Sequence, residues 1–177
     1  MYYQVQILLF FVLAVALSDC SDNSTIKDKN KFTEAEYKEK LIAANKNLIK
    51  KDDEKIEKYI KENKIPMQES GTGLRYSISG QGTGERAHTG QYALLNYKLT
   101  LLDGTFCYSS EEKGPEEFLI GQDNVESGLH EGITYMKVGE KARFILPPHL
   151  AHGLLGDENK IPSRATLVYD VELLSLR

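Results

Sequence analysis

Cys107 shares the chain with four histidines, and a thiol beside an imidazole is one way to build a nucleophile. Cys107 taken with His152, His149 or His130 carries no local nucleophile signature. It also follows a strand-like phenylalanine, which is the setting of a small buried hydrophobe. His149 and His152 have the spacing of a metal-ligand pair, but no second pair of cysteines or carboxylates stands in register, so no metal is expected. Gly80, Gly82 and Gly84 resemble a phosphate loop only superficially. No Lys-Ser/Thr follows them and no helical pattern opens there, so they read as a strand connection. Glu111-Glu112 and Glu116-Glu117 flank the turn Lys113-Gly114-Pro115 and read as a solvated loop rather than a catalytic carboxylate pair. None of the usual nucleophilic, metal or phosphate chemistries has its residues in place.

The elements that would position such residues begin at Thr33, an N-cap with Glu36 three residues on. Tyr37, Leu41, Ala44 and Leu48 then fall on one helical face. The polar run Lys50-Lys51-Asp52-Asp53 interrupts that stripe, and Ile56, Tyr59 and Ile60 resume it before Pro66 ends the pattern. Two helices or one bent helix are expected over 32–63, packed on the following domain, on a second copy of itself, or solvated as a spacer. Beyond Pro66 the pattern is strand-like. Leu74 to Ser79 is short and alternating. From Tyr92 to Leu102, Ala93, Leu95, Tyr97, Leu99 and Leu101 share one face while Asn96, Lys98 and Thr100 share the other. Asp103-Gly104 turns the chain into Thr105-Phe106-Cys107, and Phe118 to Ile120 is a further short strand. One helix is expected from about Asn124 to Met136, with Val125, Leu129, Ile133 and Met136 on its inner face and Gly139 past its end. Ala142, Phe144 and Leu146 alternate with Arg143 and Ile145. Leu167, Tyr169, Val171 and Leu173 alternate with Asp170 and Glu172. Many antiparallel strands and one amphipathic helix predict an α+β domain whose sheet curls around the helix, with one wet face.

The amino terminus carries separate information. Residues 1–18 contain no charged side chain, and Ile7 to Leu17 is an unbroken apolar run, too short for a comfortable membrane span and right for a signal-peptide core. Leu17-Ser18-Asp19-Cys20 resembles the lipobox of bacterial lipoproteins, in which the cysteine is acylated. Asp19 stands where a small residue is usual, and no lysine or arginine precedes the apolar run. The expectation is a signal peptide over 1–19, lipidation at Cys20, a flexible tether over 20–31, and a membrane-anchored place in the bacterial cell envelope. Two cysteines allow at most one internal disulfide, and none if Cys20 is acylated. A formal charge of −4 with mixed signs excludes the basic excess of a nucleic-acid binder.

From about Gly73 to Leu176 the chain resembles the FKBP-type peptidyl-prolyl isomerases. The anchors are Gly80-Gln81-Gly82, Tyr97, Asp103-Gly104 with Phe106, Gly121, the series Val125 to Gly132, Met136, Gly139 with Glu140-Lys141-Ala142, Pro148, Gly153, Gly156, and Ile161-Pro162 with the last strand. No insertion or deletion is needed between Phe106 and Leu176. The resemblance implies an FKBP-like isomerase domain over 64–177 and cis/trans isomerisation of the peptide bond before proline, with no cofactor. It implies proline-containing polypeptides as partners, here exported proteins assisted in folding. The helical extension over 32–63 leaves a homodimer open.

In the family's register, Tyr97, Phe106, Val125, Leu129, Ile161 and Tyr169 would wall a proline pocket. Leu129 stands where the family usually has tryptophan, and the chain has none. Leucine keeps the floor apolar without a flat stacking surface, so altered proline binding is expected. Cys107 takes the place of an aspartate, and His152 that of a tyrosine which donates to a substrate carbonyl, a role imidazole can also fill. Glu116 replaces a rim aromatic and would favour a basic or polar residue before proline. Glu126 replaces an isoleucine whose backbone amide binds substrate. The rival expectation is a binding or chaperone module of the same fold with weak or no turnover, or an inert domain carrying the helices as a partner-binding arm.

Overall fold

The computed structural model describes residues 32–177. The leader, Cys20 and the tether lie outside the described residues. The chain divides into two compact units between Leu41 and Ile42. In the first, the expected capping box is present: Thr33 N–H donates to Glu36 Oε2 at 2.8 Å, and Glu36 N–H donates to Thr33 Oγ1 at 3.3 Å. It opens helix α1, Glu34–Asn63.

This helix is continuous, so of the two expected forms, two helices or one bent helix, the structure excludes two separate helices. The polar run is compatible with a helix, and its charges find partners, Lys50 with Glu54 across one turn, Asp52 with Arg164 and Asp53 with Arg75. Asp52 is buried. Lys64, with φ at +53°, ends the helix ahead of Pro66.

Within residues 42–177, strands β1 (Gln68–Glu69), β2 (Arg75–Ser79), β3 (Tyr92–Leu101), β4 (Phe106–Ser109), β5 (Glu116–Leu119), β6 (Lys141–Leu146) and β7 (Leu167–Leu176) form one antiparallel sheet. Its order is β1-β2-β6-β7-β3-β4, with β5 also paired to β3. The short helix α2 (Ser110–Lys113) separates β4 from β5, and α3 (Ser127–Ile133) lies against the inner face. A 3-10 turn, Pro148–Leu150, follows β6. The sequence pattern placed β3, β6, β7 and α3 well, and missed β1 and α2. The α3 helix packs closely because of two glycines. A Cβ on Gly132 would stand 2.9 Å from the Phe144 ring, and one on Gly128 2.6 Å from Leu146 Cγ.

The expected inner face is the main core, with Ala93, Leu95, Tyr97 and Leu99 of β3 packed with Leu129, Ile133, Phe144, Tyr169 and Val171. The expectation of one uniformly wet outer face fails at one corner. Ile56 of α1 is fully buried against Ile145 and Val168, with Tyr59, Ile60, Met67 and Leu102 around them. Arg75, also buried, is ringed by Asp53, Glu57 and Glu69. Residues 42–63 therefore belong to the same compact unit as the sheet.

Candidate active site

The site begins with a gap in the sheet edge. β5 pairs with Tyr92 to Leu95 of β3, and β4 pairs with Lys98 to Thr100, leaving Tyr97 without a strand partner on that side. Ser110 fills the gap: its Oγ accepts from Tyr97 N–H at 3.1 Å and donates to Tyr97 O at 3.3 Å. Buried backbone groups demand such partners. The same break brings Glu116 beside Tyr97, whose phenol is pushed up by burial and then by the Glu116 carboxylate. The Glu116 carboxyl is also pushed up, first by burial and then by the charge of Glu126, with Lys113 opposing.

Glu126 joins the site through its side chain, where only its backbone was expected to serve. It occupies the N-cap position of α3 without capping it. Tyr169 OH instead donates to Glu126 Oε1 at 2.8 Å, and His152 Nε2 lies 3.0 Å from the same oxygen. Burial, followed by Glu126, pushes the Tyr169 phenol well above its ordinary value. The Tyr97 and Tyr169 rings lie 6.1 Å apart, tilted by 50°. Leu129 and Ile161 are buried with them, and Val125 packs against the same cluster half-buried. Thus Tyr97, Glu116, Glu126, His152 and Tyr169 come together, and Leu129 and Ile161 belong to the same buried core.

Phe106 and Cys107 part company. The β3–β4 register steps from Leu99↔Tyr108 to Thr100↔Phe106, which leaves Cys107 as the extra residue of a bulge. The bulge turns Cys107 wholly inward, where burial pushes its thiol up. That is the opposite of a reactive thiolate and removes the cysteine-histidine nucleophile from consideration. Phe106 is 40% exposed and stands outside the core cluster. Lys160 Nζ lies 5.2 Å from its ring centroid and donates to Cys107 O at 2.7 Å. Phe106 also borders an open groove of about 980 Å³ on the outer face of the sheet. That groove is lined largely by polar and charged side chains, among them the bidentate Arg143–Asp170 pair at 2.6 and 2.8 Å and Lys141 with Glu172 at 3.9 Å.

The loop between Ala151 and Ala165 has an organiser that the sequence reading missed. Asp157 Oδ1 accepts from Asn159 N–H at 2.9 Å and Ile161 N–H at 2.7 Å, and Tyr108 OH donates to Oδ2. Burial pushes the Asp157 carboxyl up, but these donors outweigh it and bring it down to about 2. The run Asp157-Glu158-Asn159 is the available signal, because aspartate and asparagine bond their own backbone two residues on. Gly156 lets the loop fold back on itself: its φ is +74°, and a Cβ there would stand 2.1 Å from Ile161 O. His149, one of the two histidines with ligand spacing, points elsewhere, its Nε2 2.9 Å from Thr72 O. Among the described residues no three histidine, cysteine or carboxylate groups gather as a metal site.

An antiparallel sheet with one short helix against its inner face, and two tyrosines joined to a glutamate and a histidine at the start of that helix, is the architecture to set beside known proteins. Residues 83–174 match the family described as FKBP-type peptidyl-prolyl cis-trans isomerase, and the chain belongs to that family. It is 32% identical over 163 residues to the isomerase FkpA of Escherichia coli (strain K12), which covers 85% of this chain and 60% of that protein. It is 41% identical over 92 residues to the isomerase FKBP10 of Bos taurus, covering 51% of this chain and 16% of the relative. The chain thus spans under two thirds of the length of these relatives. The crystal structure of FkpA from Escherichia coli superposes with a TM-score of 0.61 at 29% identity, covering 98% of this chain and 82% of that one. That of AtFKBP13 gives 0.59 at 30% identity, covering 63% and 99%.

Proposed function

We propose that this protein is a peptidyl-prolyl cis-trans isomerase that assists the folding of exported polypeptides. The observation that carries the proposal is the joining of Tyr169 and His152 on Glu126, with Tyr97 beside Tyr169 and Leu129 and Ile161 in the same core, in a chain of the isomerase family. The uncatalysed reaction crosses roughly 18 to 20 kcal/mol over tens to hundreds of seconds, because twisting the amide forfeits its resonance. The planar amide is the more charge-separated form, so a dry, apolar pocket favours the twisted one, and each ~1.4 kcal/mol of that difference gives about tenfold in rate. Leu129 supplies an apolar floor without an aromatic plane. Glu116 and Glu126 place negative charge at the rim, which favours a basic residue before proline. His152 reaches the substrate from the loop, and Phe106 covers the open edge.

The leader, an acylated Cys20 and a tether over 20–31 would hold the protein at a bacterial envelope membrane. Helix residues 32–63 would lead into the isomerase domain, 64–177, with 42–63 as its support. Tyr37, Leu41, Ile42, Leu48 and Ile49 are exposed apolar side chains on α1, and they favour pairing with a second copy of the chain. Sedimentation of residues 20–177 with Leu41→Glu and Leu48→Glu tests this; a monomer before substitution refutes pairing.

The activity is tested with residues 20–177 on Xaa-Pro peptides, with Phe106→Ala and Tyr169→Phe beside them. Acceleration that both changes reduce is expected. Proline peptides that bind without any acceleration would make the protein a binding module of the same fold, the reading favoured by Leu129, Cys107 and His152 standing where the family resemblance implies tryptophan, aspartate and tyrosine.

A further inference from the structure

Asp52 stands in the part of α1 that is built into the isomerase domain, one turn before the fully buried Ile56, and is itself only 7% exposed. Its Oδ2 lies 2.5 Å from Arg164 Nη2, and Lys55 reaches the other oxygen only at 4.0 Å. A buried carboxylate needs such a partner, and removing one member strands the other.

Arg164 is held at φ +57°, a left-handed conformation that an arginine rarely adopts. Such a conformation persists where the surroundings over-determine it. Two contacts do so here. The guanidinium sits on Asp52, and the backbone N–H of Arg164 donates to Gly153 O at 2.9 Å. The second contact ties the end of the loop to its beginning. Gly153 directly follows His152, whose ring meets Glu126, which in turn receives Tyr169. Ser163 Oγ donates to Leu154 O, closing the same seam one residue along. The loop so closed also presents Leu154 and Leu155, 69% and 80% exposed, beside His152.

We propose that Asp52 and Arg164 are positioning residues for the isomerase site: through this ion pair helix α1 holds the base of the 151–165 loop and thereby places His152 and Ile161 for substrate. The inference rests on the isomerase reading of that site. It gives the second half of α1 a role beyond connection. Breaking the pair loosens the loop that grips the flanking peptide while leaving Tyr97, Leu129 and Tyr169 in the core, so substrate affinity falls more than turnover.

The test uses residues 20–177 with Arg164→Asn, which tolerates the left-handed backbone but removes the guanidinium, with Asp52→Asn, with the double variant, and with Arg164→Lys. Isomerisation kinetics, thermal midpoints and the ring NMR signals of His152 are followed. Each asparagine variant is expected to raise KM about fivefold with kcat within about twofold, and to shift the His152 ring signals. The double variant is expected to match the singles, because both remove one interaction, and Arg164→Lys to recover part of the loss. A lowered thermal midpoint with KM and the His152 signals unchanged overturns the proposal and leaves the pair structural. If Arg164→Asn does not fold, Asp52→Asn, near-isosteric and uncharged, decides alone. If the unaltered protein shows no isomerisation, the isomerase reading fails, while the His152 signals in Asp52→Asn still report whether the helix holds the loop.

Discussion

The two faces of strands β6 and β7 are both buried in places, but by very different helices. On the inner face, seven-residue α3 covers Phe144, Tyr169 and Val171 with glycines that admit near-contact of backbone and ring. On the outer face, thirty-residue α1 covers Ile145 and Val168 with essentially one fully buried side chain, Ile56, and secures itself with charge: Asp52 to Arg164, and Asp53 and Glu57 to Arg75. The inner contact is close packing that makes the domain. The outer one is a small apolar plug ringed by ion pairs, suited to holding a helix against a loop.

The comparison breaks most sharply at Phe144. Phe144→Ala empties the centre of the inner face, with an expected loss of about 3 to 5 kcal/mol measured by denaturant unfolding, and activity lost with the fold. Ile56→Ala removes the outer plug and is expected to cost about 2 to 3 kcal/mol, less because the small cluster can relax. If Ile56→Ala proved neutral, α1 would not be part of the domain. The same logic predicts that a truncation beginning at residue 64 unfolds at lower denaturant than one beginning at 42, since it strips Ile145 and Val168, leaves Arg164 without Asp52 and leaves Arg75 with Glu69 alone.

Glu116 sharpens the contrast at the rim. Its carboxyl is raised by burial and by Glu126, so the folded state holds that proton more tightly than the unfolded chain. Its contribution to stability is present below the ordinary carboxylate range and lost as pH rises through the raised value. Glu116→Gln should therefore stabilise at neutral pH, by under about 1 kcal/mol after solvent screening, and not at pH 3. Its preference for Lys-Pro over Glu-Pro peptides should vanish in the same variant. Equal rates for both peptides in the unaltered protein would remove Glu116 from specificity.

The smallest effect is expected at Asp157. Its carboxyl is lowered to about 2, so its contribution is present above the ordinary aspartate value and fades as pH falls toward 2. Acid titration followed by amide exchange in residues 151–165 should show the loop loosening in that window. Asp157→Asn should show it already at neutral pH.

Much of the fold was legible because alternation along β3, β6 and β7 reports a single buried face, and the stripe Leu129, Ile133 and Met136 reports its helix. The outer corner was not legible: Ile145 looks like a wet-face residue on its own strand, and only a distant helix makes it core. The candidate site residues were named from the family resemblance. The polar geometry of the site was not legible, since the bulge that turns Cys107 inward and Phe106 outward depends on strand register, and Glu126 was valued for its amide while its carboxylate does the gathering.

By itself the sequence determined the antiparallel sheet and its covering helix, because local periodicity is written in neighbouring residues, and its run of matching motifs carried the resemblance to the family. Tertiary structure alone decided that Asp52 meets Arg164 across 112 positions, that Tyr169 and His152 share one oxygen of Glu126, and that α1 belongs partly to the isomerase domain. Such contacts join residues whose separation carries no period, and they form only once the chain has folded.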